Sequence, residues 1–178
     1  TLSGTRDAFV SKFDSGLSNL LASTYLGGGN LDEWRGIAYK NDEIIVAGIA
    51  TDGFPVTTGA YDTTFGGAWS PFDAFVSKLN TWLSSLLAST FIGSTFGDFG
   101  QDVYVDDRNQ IIVVGYTQSS LFPVTTYALD SWFNWSENWF VSIFDWYLSW
   151  MIESTFLWSG SSSVTRMQIK SVAGIDNK

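Results

Sequence analysis

Asp73-Ala74-Phe75-Val76-Ser77-Lys78-Leu79 is one of three similar heptapeptides that stand at nearly equal intervals along the chain. Asp7-Ala8-Phe9-Val10-Ser11-Lys12-Phe13 precedes it by 66 residues, and the more divergent Asn138-Trp139-Phe140-Val141-Ser142-Ile143-Phe144 follows it by 65. Recurrence at a fixed period is the signature of a repeat architecture, in which each copy is one structural unit. The sequence therefore predicts an array of similar units.

Three further blocks recur in the same order and at nearly the same period. They are residues 20–24 with 86–90 and 151–155, residues 44–48 with 111–115, and Phe-Pro-Val-Thr-Thr at both 54–58 and 122–126. Four blocks in one order place the repeat boundaries. We interpret residues 1–178 as a single β-repeat domain, with repeat 1 at about 5–70, repeat 2 at about 71–136 and a partial repeat 3 at about 137–178.

Each repeat is predicted to form two β-hairpins. The first joins the heptapeptide strand to the strand at 20–26 through a turn at 14–16, and the second joins residues 36–39 to 44–48. Turn-forming residues stand at the tips, with β-branched and aromatic residues between them. Residues 44–47 are apolar on both faces, which is typical of strands inside stacked sheets. We therefore predict an all-β fold of tandem four-stranded antiparallel blades, β-propeller-like, with about 2.5–3 repeats of roughly 66 residues and open at both ends.

The composition excludes several classes of function. The chain has no Cys and no His, which removes thiol chemistry, disulfides and imidazole-based catalysis or metal ligation. A net charge of −9 leaves no basic surface for nucleic acid. No apolar run approaches the ~18 residues of a membrane span, so no transmembrane segment is expected. The first residue is Thr1 and not Met, which predicts a processed or truncated chain.

From about residue 7 to 158, the recurring blocks resemble the bacterial and archaeal seven-bladed β-propeller repeat. The likeness is carried by the heptapeptide at 73–79, by residues 86–93 and 111–115, and by Phe-Pro-Val-Thr-Thr at 122–126. The resemblance implies a secreted or surface-exposed β-propeller scaffold, usually one module of a larger protein. That family has no shared catalytic motif, so no active-site residues carry over to this chain.

The array is shorter than a closed propeller, which needs ~4 to 8 blades. Three copies of the first hairpin and two of the second predict that it starts and stops within a blade, and unpaired strand edges recruit partner strands. Residues 164–175 alternate like a strand and are a candidate for a missing piece. The predicted assembly-edge residues are Asp7, Phe9, Phe140, Val141, Ile169 and Val172.

The third repeat is rich in tryptophan, with six of the nine between Trp132 and Trp158. Trp139 stands where the sister repeats carry alanine, and Trp82 of repeat 2 stands where repeat 1 carries Gly16. Gly in a turn often has a positive φ, which is costly for Trp. Two explanations are open: these tryptophans form a remodelled interface, or the residue identities there are wrong.

Acidic side chains offer one candidate metal site. Asp98, Asp102, Asp106 and Asp107 lie within ten residues, and Asp32 and Glu33 stand in the matching region of repeat 1. Ca²⁺ takes six to eight oxygen ligands. The spacing matches no EF-hand loop, however, and Asp is common in turns because it bonds its own backbone. We therefore expect no cofactor, with Ca²⁺ as the alternative.

Aromatic and hydroxyl side chains offer candidate glycan contacts. Trp34 and Trp69 could stack on sugar rings, or they could fill gaps between blades. Asn134-Trp135-Ser136 is an N-glycosylation sequon, which makes Asn134 a candidate glycosylation site. The threonines of Phe-Pro-Val-Thr-Thr suit an edge strand and could also carry O-linked sugars.

Three hypotheses of function follow. The first is a non-enzymatic extracellular or cell-surface structural protein that pairs with copies of itself through open blade edges, into a filament or surface assembly. The second is an adhesion module that binds glycan or protein through blade-tip loops. The third and most remote is a carbohydrate-active enzyme, which would need two carboxyl groups facing one sugar.

Overall fold

The computed structural model describes residues 4–134 and 136–157, and each regular element within them is a β-strand. The strands are β1 (Ala8–Phe13), β2 (Leu20–Leu26), β3 (Glu33–Lys40), β4 (Glu43–Ala50), β5 (Asp73–Asn80), β6 (Leu86–Ile92), β7 (Asp98–Val105), β8 (Ile111–Thr117), β9 (Asn138–Phe144) and β10 (Met151–Leu157). Adjacent strands pair antiparallel within sheets that do not close into a barrel. The predicted all-β fold of open, blade-like repeats is confirmed.

The strands form two four-stranded sheets and one two-stranded sheet. The first blade has the order β3-β4-β5-β6, the second blade has the order β7-β8-β9-β10, and the half-blade contains β1 and β2. Each blade joins the second hairpin of one sequence repeat to the first hairpin of the next. The sheets are therefore offset by half a period from the repeats read along the chain.

The inner strands explain why residues 44–47 are apolar on both sides. β4 lies between β3 and β5, with Glu43 opposite Asn80 and Ala50 opposite Asp73. Ile45 and Ala47 face the second blade, whereas Val46 faces the half-blade, and all three are fully buried. Both faces of β4 are thus covered by the neighbouring sheets, whereas Ile37 and Tyr39 on the edge strand β3 are exposed.

Two long segments, which we call the crossing loops, pass from an inner strand to the outer edge of the same blade. They comprise residues 51–72 after β4 and residues 118–134 after β8. Each pairs with the last strand of its blade: the Thr57 N–H donates to the Ser89 carbonyl at 3.1 Å, and the Thr125 N–H donates to the Ser154 carbonyl at 3.0 Å. The crossing loops therefore occupy the outer edges of β6 and β10.

Phenylalanines of the crossing loops form the centres of the cores. The ring centroid of Phe54 lies 4.3 Å from that of Phe75, and Phe122 lies 4.3 Å from Phe140. Phe75 and Phe140 occupy the same position of the heptapeptide. The Phe-Pro-Val-Thr-Thr blocks recur because each supplies one ring to the core and one threonine to the edge.

The turn of the first hairpin corrects the expectation about Gly16 and Trp82. Neither has a positive φ; the left-handed residue is the leucine that follows, with φ of 54° at Leu17, 56° at Leu83 and 56° at Leu148. Trp82 is exposed at the tip of its turn, where a large side chain is free to project into solvent. The exchange of Gly for Trp at this position therefore imposes no backbone strain.

The two ends of the array differ, and the expectation that the array also stops within a blade is wrong. The described chain starts within a blade, at the half-blade, but β9 and β10 complete the second blade together with β7 and β8. Residues 164–175, including Ile169 and Val172, lie outside the described residues. Of the two ends of the described chain, the half-blade is therefore the one at which a sheet is incomplete.

Replacement of Phe122 by Ala should lower the free energy of unfolding by about 3–5 kcal/mol, because it removes a buried aromatic ring and leaves a cavity between the blades. The control is Leu121→Ala, since Leu121 is exposed and its loss should cost less than about 0.5 kcal/mol. Urea unfolding measures both. Equal effects of the two variants would contradict the central role of the crossing loop.

Candidate functional site

The half-blade exposes an apolar surface whose counterparts elsewhere in the molecule are buried. We define the half-blade face as Phe9, Phe13, Leu17, Leu20 and Tyr25. Phe9 is 64% exposed, whereas Phe75 and Phe140, at the same position of the repeat, are 0% exposed. The other four residues are likewise exposed, while their counterparts are buried or packed against a core. Contiguous exposed apolar surface of this kind marks an interaction site.

The half-blade face lies on one side of the hairpin. Phe9 stands opposite Tyr25 and Phe13 opposite Leu20 in the β1–β2 register. On the other side, Val10 and Leu26 are buried in the core shared with the first blade. The hairpin is therefore docked through one face, and only the opposite face is uncovered.

The turn at Leu17 has the backbone conformation of its counterparts, but its side chain is exposed. Leu83 and Leu148 adopt the left-handed conformation while their side chains are buried, and burial offsets the conformational cost. Leu17 adopts the same conformation with its side chain 78% exposed. Leu17 thus has the backbone conformation of its counterparts without the burial that accompanies it there.

The anchor for a crossing loop is already formed in the half-blade. Ser11 and Ser23 pair through their hydroxyls at 2.9 Å, as Ser77 and Ser89 do at 2.7 Å. In the first blade, the Ser89 hydroxyl also donates to the Pro55 carbonyl of the crossing loop at 2.8 Å. Among the described residues, no crossing loop lies on the outer edge of β2, which pairs only with β1.

The predicted assembly residues near the start of the chain lie beside this surface. Phe9 belongs to the half-blade face, and Asp7 immediately precedes β1, where its carboxylate accepts a hydrogen bond from the Gly4 N–H at 3.1 Å. The counterparts of β1, namely β5 and β9, pair on both sides, whereas β1 pairs only with β2. The edge of β1 that faces away from β2 is therefore unpaired within the described chain.

The predicted edge at Phe140 and Val141 does not exist. Both residues lie on β9, an inner strand paired with β8 and β10, because the hairpin β7–β8 occupies the side that was expected to be open. Phe140 is fully buried in the core, and Val141 is half-buried on the opposite face of the strand. Their side chains therefore belong to two different surfaces.

The candidate glycosylation and stacking residues are scattered. Asn134 is half-buried, and its backbone N–H donates to the Asn138 side chain at 3.1 Å. Trp34 packs against the core between the half-blade and the first blade, whereas Trp69 is 78% exposed. Thr57 and Thr125 use their hydroxyls to anchor the crossing loops. These residues do not form one binding surface.

The candidate calcium ligands are separated by the length of a strand. Asp98 begins β7 and is fully buried, whereas Asp106 and Asp107 follow its other end. Asp106 accepts hydrogen bonds from the Arg108 and Gln110 N–H groups, which is the turn-forming role. Within residues 4–134 and 136–157, no three acidic side chains come together as a metal site would require.

A pair of buried carboxyl groups was not foreseen from the sequence. Asp73 and Asp98 flank Gly93, where an added Cβ would come within 3.0 Å of the Asp73 carboxyl carbon and 2.6 Å of an Asp98 oxygen. Burial raises the pKa of Asp73 to about 7 and that of Asp98 to about 7, and the charge of Asp73 further raises the pKa of Asp98. The Asp that begins the first two copies of the heptapeptide, at Asp7 and Asp73, was the available signal for this pair. The approach of Asp98 to Asp73 depends on tertiary packing and has no signal in the sequence.

This carboxyl pair is closed to substrates. Asp73 is 1% exposed and Asp98 is 0% exposed, so a sugar has no path between them, as a glycoside hydrolase would need. Asp73 accepts a hydrogen bond from the Gly66 N–H at 2.7 Å, and Asp98 accepts one from the Ser94 N–H at 2.7 Å. Both carboxyls thus tie loops to the ends of strands.

Comparisons with protein-family models and with curated proteins gave no match to this chain. No helix among the described residues is long and apolar enough to cross a membrane.

The stability of the folded chain should fall as the pH rises from about 4 to about 7. Asp73 and Asp98 ionise near pH 3.8 when unfolded but near pH 7 when folded, so their stabilising contribution is complete below pH 3.8 and is lost as the pH rises through 7. Asp73→Asn should flatten this dependence, because an amide does not ionise. The fold should tolerate the change, since Asn138 occupies the same position in the third repeat and is buried there. Urea unfolding at several pH values measures the slope.

The matched control for this prediction is Asp107→Asn, which changes an exposed carboxylate. It should leave the slope between pH 4 and 7 as it is in the unaltered chain. A slope that Asp73→Asn also leaves unchanged would show that the buried pair does not titrate in this range.

Proposed function

We propose that this chain is a non-enzymatic structural protein of the cell exterior that assembles with copies of itself, through the half-blade, into a filament or surface assembly. The observation that carries the proposal is the exposure of the half-blade face, whose counterparts form the centres of both cores. Five apolar side chains in one patch favour association, because removing apolar surface from water stabilises a complex by about 25 cal/mol per Å².

Strand pairing supports the same conclusion. β1 presents an unpaired edge next to the half-blade face, and such edges add strands from other chains unless they are blocked. The flanking charges of Arg6 and Lys12 do not block the edge of β1, because both are engaged elsewhere. The Arg6 guanidinium lies 3.8 Å from the Glu33 carboxylate, and the Lys12 amino group donates a hydrogen bond to the Thr81 hydroxyl at 2.9 Å. Edge and face together offer one continuous site for a partner chain.

An exterior location is supported by the resemblance to the seven-bladed β-propeller repeat, whose members are secreted or surface-exposed. An adhesion module that binds glycan or protein remains the second candidate. It is favoured by exposed aromatic side chains at the hairpin tips, namely Trp82, Tyr147 and Trp150. Glycan binding would be saturable and would not depend on the half-blade face.

The double variant Phe9→Ser/Phe13→Ser should impair assembly while leaving the fold intact, because both side chains are already exposed in the single chain. Loss of two buried aromatic contacts, at about 1.5–3 kcal/mol each, should raise the concentration needed for assembly at least tenfold. Light scattering across a concentration series measures the mass, and electron microscopy shows the form of the assembly.

The matched control is Tyr127→Ser/Leu129→Ser, which removes two exposed apolar residues far along the chain from the half-blade. It should assemble as the unaltered chain does. A monomeric unaltered chain at every concentration, or equal assembly by the two double variants, would overturn the proposal and direct attention to glycan binding.

A further inference from the structure

We infer that the half-blade face is covered in the assembly by the second blade of another copy, in a single head-to-tail contact. This inference rests on the self-assembly proposed above and identifies the surface of the partner that takes part. The chain itself supplies the precedent, because it contains two internal junctions of the same kind: half-blade on first blade, and first blade on second blade.

Each internal junction joins a leading face to a trailing face. We call the leading face of a blade the side that contacts the next blade along the chain. In the first blade it consists of Ile45, Ala47, Ala74, Val76, Lys78, Ala88 and Ile92, all of which are buried. The half-blade face is a trailing face, so its natural complement is a leading face.

The second blade carries a leading face that nothing in the described chain covers completely. Ile112, Trp139, Val141, Ile143 and Leu157 occupy the positions of Ile45, Ala74, Val76, Lys78 and Ile92. These five residues are only half-buried, whereas their counterparts in the first blade are buried. The described residues therefore leave one trailing face exposed and one leading face half-buried.

A lysine marks the leading face at both internal junctions. The Lys78 amino group lies 4.0 Å from the centre of the Trp146 ring and 5.9 Å from that of Tyr147, which is the counterpart of Trp82 at the hairpin tip of the second blade. Lys12 of the half-blade lies 5.1 Å from the Trp82 ring, at the hairpin tip of the first blade. Each junction thus pairs a lysine with an aromatic side chain on the tip of the next hairpin.

Both members of this pair are replaced at the two ends of the chain. Ile143 stands at the lysine position of the second blade, and Gly16 stands at the tip position of Trp82 in the half-blade. Glu43, which pairs with Lys78 at 2.7 Å, is likewise replaced by the neutral Gln110. A head-to-tail contact would bring Ile143 against the small tip at Gly16, so neither a buried lysine nor a bulky ring is left without its partner.

Glu153 limits how the copies can meet. It is exposed on the second blade where the first blade buries Ala88. An unpaired carboxylate is costly to remove from water. The contact between copies must therefore leave Glu153 at its rim. At this position the contact between copies is less enclosed than the internal junctions are.

A head-to-tail contact joins two different surfaces, so a linear assembly keeps one free trailing face at one end and one free leading face at the other. Such contacts grow into filaments unless the rotation between copies closes a ring. This property allows a test by mixing. Phe9→Arg blocks only the half-blade face, and Val141→Arg blocks only the leading face of the second blade.

Each single variant should be monomeric under conditions in which the unaltered chain assembles. An equimolar mixture should form dimers that grow no further, since only the half-blade face of Val141→Arg and the leading face of Phe9→Arg remain intact. Light scattering measures the masses, and circular dichroism with urea unfolding confirms that both variants fold.

The outcomes separate the two proposals. An unaltered chain that stays monomeric, or a Phe9→Arg variant that assembles normally, overturns self-assembly through the half-blade and the head-to-tail contact with it. Loss of assembly in Phe9→Arg with normal assembly in Val141→Arg keeps the proposed function but overturns the head-to-tail contact, in favour of two half-blades that pair with each other. An equimolar mixture of the two variants that stays monomeric also overturns the head-to-tail contact.

A second experiment does not depend on an arginine being tolerated. Ile143→Lys should weaken assembly, because the lysine would meet no aromatic ring, and Gly16→Trp should weaken it by steric conflict. Both residues are already present at equivalent positions of the chain, as Lys78 and Trp82, so each suits its local backbone. The double variant should recover assembly by at least threefold over the worse single variant, and strictly additive effects would overturn the contact between these positions.

Discussion

The contact between the ring of a crossing-loop phenylalanine and the ring of the heptapeptide phenylalanine is the interaction on which the blades depend. A two-stranded hairpin has two faces and cannot bury both by itself. Packing on a neighbouring blade covers one face, and Phe54 or Phe122 covers the centre of the other by contact with Phe75 or Phe140. Where this ring is missing from the described chain, at Phe9, the surrounding apolar side chains are left in water.

Much of the fold could be predicted from the sequence because its signals are local. Turn residues and apolar strands placed the hairpins β1–β2, β3–β4 and β7–β8 correctly, and the recurring heptapeptide placed their order. The union of two hairpins into one blade was not predictable in the same way. It depends on the pairing of β4 with β5 and of β8 with β9 across the crossing loops, which no pattern within a single strand reports.

The candidate site was predicted in part for the same reason. The exposure of Phe9 follows from an array that begins within a blade, which the copy numbers of the two hairpins predict. Phe140 was misplaced at an edge because the half-period offset puts β9 inside a sheet. The positive φ of Leu17, Leu83 and Leu148, and the approach of Asp98 to Asp73, arise from tertiary packing, and they became visible only with the fold.

In the proposed assembly, the two faces that the described residues leave exposed or half-buried give the molecule a direction. One is the trailing face that contains Phe9, and the other is the leading face that contains Val141. Three-dimensional reconstruction of the assembled protein by electron microscopy tests this most directly. Head-to-tail assembly predicts polar assemblies in which the second blade of each subunit lies against the half-blade of the next. Isolated single subunits, or contacts related by a two-fold axis between two half-blades, would contradict it.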